Sequence, residues 1–148
     1  HPPTRQLAQR AQAALWYERG RAERAAGAQA GARAAFEAAL RLAPGLEPAW
    51  FALALACQDL GDLGAAQAAL EQLHHLRPAP APLHVEAAVN LGLVLQLQGR
   101  LDAAMAWYGR AWRARPEAFG RIAHALCSEP HGRLWLDLEA LREALRAA

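Results

Sequence analysis

The chain has no lysine, one serine, one threonine and one isoleucine. Its β-branched residues number five: Thr4, Val85, Val89, Val94 and Ile122. Each shortage excludes something. Strands draw on β-branched and aromatic residues, so a sheet-based fold is excluded. Without lysine there is no Schiff-base amine and no phosphate-loop cation. Thr4 and Ser128 alone leave hydroxyl nucleophile chemistry almost no material. The two cysteines, Cys57 and Cys127, follow no motif spacing and read as small buried hydrophobes, not as a disulfide framework. No apolar run reaches the roughly 18 residues that a membrane span needs.

What is present is alanine and leucine, 39 and 24 of 148 residues, both strong helix formers. Sixteen arginines stand against 14 acids, too balanced for a dedicated nucleic-acid binder. The charge is uneven along the chain. Residues 1–43 carry seven arginines and three acids, while residues 44–83 carry one arginine and four acids. A partner could sense that polarity. The chain begins at His1 and is expected to be a trimmed or processed product. A cytoplasmic location is expected, or a periplasmic one if a signal peptide was removed. The alanine and arginine bias fits a GC-rich bacterial source.

Repeats come before any site. Pro44, Pro78 and Pro116 each follow an amphipathic stretch. With each proline at position 32 of a 34-residue unit, the units begin at Ala13, Glu47 and Val85. Position 4 then reads Trp16, Trp50, Ala88, and position 8 reads Gly20, Ala54, Gly92. Position 15 reads Gly27, Gly61, Gly99, and position 20 reads Ala32, Ala66, Ala104. Position 24 reads Phe36, Leu70, Tyr108, and position 27 reads Ala39, Leu73, Ala111. Each unit reads as two helices with a glycine where the chain must turn. Small residues at positions 8 and 20 let the helices approach, and the large residue at position 24 fills the space beside them.

The pattern resembles the tetratricopeptide repeat. The resemblance implies an all-α fold, a right-handed superhelical α-solenoid of antiparallel helix pairs with about eight helices. It gives an extension over 1–12, repeats over 13–46 and 47–80, an insertion over 81–84, a third repeat over 85–118, and capping helices over 119–148. Thr4 is expected to cap a first helix running from Arg5 to about Ala26. Arg19 and Glu23 stand where apolar residues are usual, so the first helix is expected to be less buried or covered by residues 5–12. Residues 77–83 should form an extended connection. Asp137 can cap a last helix through Arg146, and Trp135 is expected to tuck over the last repeat. Trp16 and Trp50 read as core residues, and Trp107 and Trp112 as packed against the cap.

No metal or other cofactor is expected. His74 and His75 are adjacent on a helix and diverge by about 100°. His124, Cys127 and His131 approach ligand spacing, but a structural zinc usually takes four ligands.

In the tetratricopeptide family the first helices line a concave groove. Carried over by position, it takes Tyr17, Glu18, Arg21 and Arg24 from repeat one. Repeat two supplies Phe51, Ala52, Leu55 and Gln58. Repeat three supplies Glu86, Val89, Asn90, Leu93 and Gln96, and His124 extends the row. An apolar middle of this kind suits the apolar side of a helix or extended peptide. Asn90 can serve a peptide's backbone donor and acceptor together. Arg21 and Arg24 can pair with a carboxylate. The expected function is a non-catalytic adaptor or scaffold that binds a peptide or helix of another protein. The alternatives are an accessory region of a larger bacterial enzyme of glycosyltransferase, methyltransferase or oxygenase type, or a self-associating scaffold that forms a homo-oligomer.

Overall fold

Three glycines set the architecture. The computed structural model describes residues 2–76, 82–133 and 137–148. Gly27, Gly61 and Gly99 have φ of +82°, +80° and +80°, in the left-handed region where a Cβ is penalised. Each closes a helix in the same way. The Gly27 N–H donates to the Arg24 carbonyl at 3.0 Å, and the Ala28 N–H to that of Glu23 at 2.8 Å. Gly61 and Asp62 repeat the pair onto Gln58 and Cys57, and Gly99 and Arg100 onto Gln96 and Leu95. This two-bond closure satisfies the last carbonyls and reverses the chain into the next helix.

The elements are α1 (Pro2–Ala25), α2 (Gln29–Leu42), α3 (Glu47–Asp59), α4 (Leu63–Leu76), α5 (Pro82–Leu97) and α6 (Leu101–Ala114). A 3-10 turn (Pro116–Ala118), α7 (Phe119–Ser128) and α8 (Leu138–Ala147) follow. No strand occurs among the described residues. The chain forms two compact units, His1–Leu76 and Arg77–Ala148. Within the first, α1 packs on α2, α2 on α3 and α3 on α4. Within the second, α5 packs on α6 and α6 on α8.

The hairpins obey one size rule. A Cβ placed on Gly20 would stand 2.5 Å from Phe36 Cε1, and one on Gly92 would stand 2.4 Å from Tyr108 Cδ1. Only glycine admits an aromatic at position 24. Repeat two has Ala54 opposite the smaller Leu70, both buried. Its missing aromatic is therefore compensated by a larger partner, as close packing requires.

Several expectations give way. Thr4 lies inside α1 and caps nothing, because the helix already begins at Pro2. Proline is tolerated in a first turn, where its missing N–H would have no intrahelical partner. The same reason draws Pro82, Leu83 and His84 out of the expected connection and insertion into α5. Residues 77–81 and Trp135 lie outside the described residues. Residues 5–12 do not fold back over Arg19 and Glu23; α1 is one continuous helix, and the two side chains pair with each other at 3.4 Å. Asp137 does cap α8: its carboxylate accepts from the Glu139 N–H at 2.9 Å. Leu141 and Leu145 of α8 are fully buried, each stabilising by about 1.5–3 kcal/mol.

Candidate interaction surfaces on the first helices

In the first unit the surface residues come from α1 and α3. Tyr17 is half-buried, its ring 5.9 Å from that of Phe36 and tilted by 46°. The Arg21 guanidinium lies over the Tyr17 ring at 5.8 Å and pairs with Glu18 at 3.3 Å. Arg24 spans to α3, with its guanidinium 3.1 Å from an Asp59 carboxylate oxygen. The arginines expected to meet a partner's carboxylate are thus already engaged. Phe51, Ala52, Leu55 and Gln58 on α3 are half-buried, while Ala49, Leu53, Ala54, Ala56 and Cys57 of the same helix are buried. Phe51 and Leu55 leave apolar surface open next to a packed core.

Arg33 makes a second bridge between the two repeats of this unit. It reaches Asp62 at 3.0 Å, while the other Asp62 oxygen accepts from the Ala65 N–H at 3.1 Å. The Ala65 N–H, and then the Arg33 guanidinium, hold the Asp62 carboxyl below the usual carboxylate range. Part of the charge polarity read from the sequence is therefore consumed inside the unit, by Arg24–Asp59 and Arg33–Asp62.

In the second unit, Glu86, Asn90 and Leu93 on α5 are half-buried, whereas Val89, expected in the open row, is buried in the core. Glu86 pairs with Arg121 of α7 at 2.5 Å. The Asn90 side-chain amide makes no hydrogen bond to another of the described residues. His124 is exposed, with Nδ1 3.5 Å from Ser128 Oγ.

Gln96 departs from the expected row. It is fully buried. Its Nε2 donates to the carbonyls of Ala125 at 2.9 Å, Pro130 at 3.2 Å and Glu129 at 3.3 Å. Its Oε1 accepts from the Tyr108 hydroxyl at 2.8 Å. Burial raises the Tyr108 phenol well above its ordinary range, so it stays a donor. Gln96 joins repeat three to the end of α7, and nothing of its amide faces a ligand.

The tryptophans divide. Trp50 donates from Nε1 to the Pro44 carbonyl at 2.7 Å and helps to fix the α2–α3 turn. Trp112 packs on the cap as expected, 6.2 Å from Phe119 and with Arg146 over its ring at 5.3 Å. Trp107 carries Arg110 of its own helix over its ring at 4.5 Å. Trp16, expected in the core, is 37% exposed under Arg19 at 5.2 Å, because no described element packs outside α1. Cys57 is buried as expected, but Cys127 is exposed, at the end of α7 where no described element covers it, and its Sγ faces the Arg133 carbonyl at 3.9 Å. No three metal-ligating side chains converge among the described residues.

A family model described as Tetratricopeptide repeat matches residues 47–79 and 85–118. Residues 47–79 and 85–118 are thus two tetratricopeptide repeats. The two matched segments are repeats two and three of the alignment by position. Repeat one shares their glycine closure and its own Gly–aromatic fit. Among solved structures, one described as the crystal structure of MamA is similar over 90% of this chain and 71% of that one, with a TM-score of 0.69 and 20% identity. That likeness speaks to the helical-repeat fold alone. No curated protein matches the chain. No described helix is long and apolar enough to cross a membrane.

Proposed function

We propose that the chain is a non-catalytic protein-interaction module, and that the open faces of its first helices hold a peptide or helix of a partner protein. The observation that carries this reading is the exposure pattern of α3 and α5. Phe51, Leu55 and Leu93 keep apolar surface open beside buried neighbours, and the Asn90 amide is uncommitted. Each face offers apolar area to a partner's side chains, and on α5 an asparagine amide can pair a peptide's N–H and C=O together.

The arginines have a smaller part than their number suggests. A partner carboxylate at Arg24 would displace Asp59, and both of those side chains are 36% exposed. Such an exchange at the surface is worth about 0–1 kcal/mol. Affinity therefore falls to the apolar residues and Asn90. The residue kit also opposes nucleophilic chemistry: burial pushes the Cys57 thiol up, and the nucleophile is the thiolate.

The test is the affinity of a purified partner segment for Phe51→Ala, Leu93→Glu and Asn90→Ala, measured by calorimetry. Leu93→Glu should weaken binding by about tenfold or more. Unchanged affinity in all three variants removes these faces from the reading.

A further inference from the structure

A second surface lies on the other side of the first unit, on the exposed part of α1. Three of the six large apolar side chains exposed among the described residues fall between residues 7 and 16: Leu7 at 65%, Leu15 at 72% and Trp16 at 37%. The face toward α2 is closed by Ala13 and Gly20, which are buried. On the open side, helix spacing aligns Leu7, Ala11 and Leu15 as one i,i+4 ridge, and Ala8, Gln12 and Trp16 as the next. Gln12, Leu15, Trp16 and Arg19 line an open surface hollow of about 410 Å³. Two ridges with a gap between them are what a second helix packs into, and the alanines allow close approach.

Charge selects the occupant. Glu18 and Glu23 of α1 pair with Arg21 and Arg19, while residues 2–17 hold Arg5 and Arg10 and no acid. We propose that this face docks an amphipathic helix of a partner protein whose apolar stripe is flanked by glutamate or aspartate. Its carboxylates meet Arg5 and Arg10, and an apolar side chain lies beside Trp16. A lipid surface asks for a broad face of large apolar residues. Here the residues between Leu7 and Trp16 on the open side are largely alanine and glutamine.

The test uses a synthetic helical peptide of about 18 residues with a leucine stripe and glutamate flanks, beside versions with lysine flanks or a serine stripe. Binding is followed by calorimetry and by amide shifts of α1. The glutamate peptide should bind about tenfold or more tightly than the lysine peptide, and weaken as salt rises from about 50 to about 300 mM. Leu15→Glu and Trp16→Ala should each lower that affinity about tenfold or more while leaving the helical circular dichroism intact. Leu93→Glu should leave it unchanged, which separates this surface from the faces proposed above. Equal binding of the lysine peptide overturns the proposal. So does sensitivity to Leu93→Glu in place of Leu15→Glu. A dimer in light scattering that Leu15→Glu dissolves assigns the face to a second copy and overturns it, as does Leu15-dependent sedimentation with phosphatidylglycerol vesicles.

Discussion

Replacing Gly20 by alanine tests the size rule at the centre of the hairpins. Alanine gains about 1 kcal/mol of helix propensity over glycine, so an exposed site would be stabilised. At this site the new methyl meets the Phe36 ring at 2.5, 2.7 and 3.0 Å, about 1 Å short of ordinary contact at the nearest atom. The ring has little room to yield, since Phe36 is fully buried and Tyr17 stands 5.9 Å away. Overpacking of this kind costs about 1–3 kcal/mol, and with the propensity gain subtracted a net loss of up to about 2 kcal/mol remains.

Phe36→Leu alone should cost about 1–2 kcal/mol, less than complete truncation of the ring. The double variant recreates the Ala54–Leu70 pairing of repeat two and should lose only about 1 kcal/mol, far less than the two singles added. The assay is urea unfolding, followed by circular dichroism and tryptophan fluorescence, with coincident transitions checking two-state behaviour. Two results would refute the reasoning. One is a stabilised Gly20→Ala single variant. The other is a coupling energy below about 0.5 kcal/mol.

Gln96→Ala should cost about 2–4 kcal/mol in urea unfolding of the chain, because the Tyr108 hydroxyl and the carbonyls at the end of α7 lose their common partner. A loss under about 1 kcal/mol would show that the buried amide is dispensable. Asp62→Asn keeps a side-chain acceptor for the Ala65 N–H but removes the charge. The folded carboxyl is depressed, so its contribution is present above the unfolded value near pH 4 and is lost as pH falls through the folded one. Thermal melts should therefore fall less steeply with acid below about pH 4 in Asp62→Asn than in the parent chain; parallel curves contradict the shift.

The repeat was legible because it rests on local chemistry. A glycine at position 15 is demanded by the backbone, and the glycine–aromatic pairing by contact within one hairpin. The misreadings came from two other sources. Proline was read as an end of helices, yet Pro2, Pro48 and Pro82 stand in first turns, where the residue fits equally well. Gln96 was placed by register alone. Its environment is made by residues 125–130, about thirty positions on, whose carbonyls turn back onto it. No local signal marks that meeting. Trp16 follows the same logic in reverse: its position is buried only when another element lies outside it.

Arginine's role also changed once its neighbours were known. With no lysine in the chain, every basic residue carries a planar guanidinium, which stacks on rings as well as pairing with acids. Arg19, Arg21, Arg110, Arg142 and Arg146 each lie over an aromatic ring. Arg24 and Arg121 bridge to acids on other helices, and Arg33 to Asp62 just before α4. A cation already stacked or paired gives a newcomer only the difference between two similar contacts. Positive charge on these helices is thus largely engaged within the chain. What is left for recognition is the open apolar surface of Phe51, Leu55 and Leu93 with the Asn90 amide, and the α1 face around Leu15, where Arg5 and Arg10 stand in a stretch without acids.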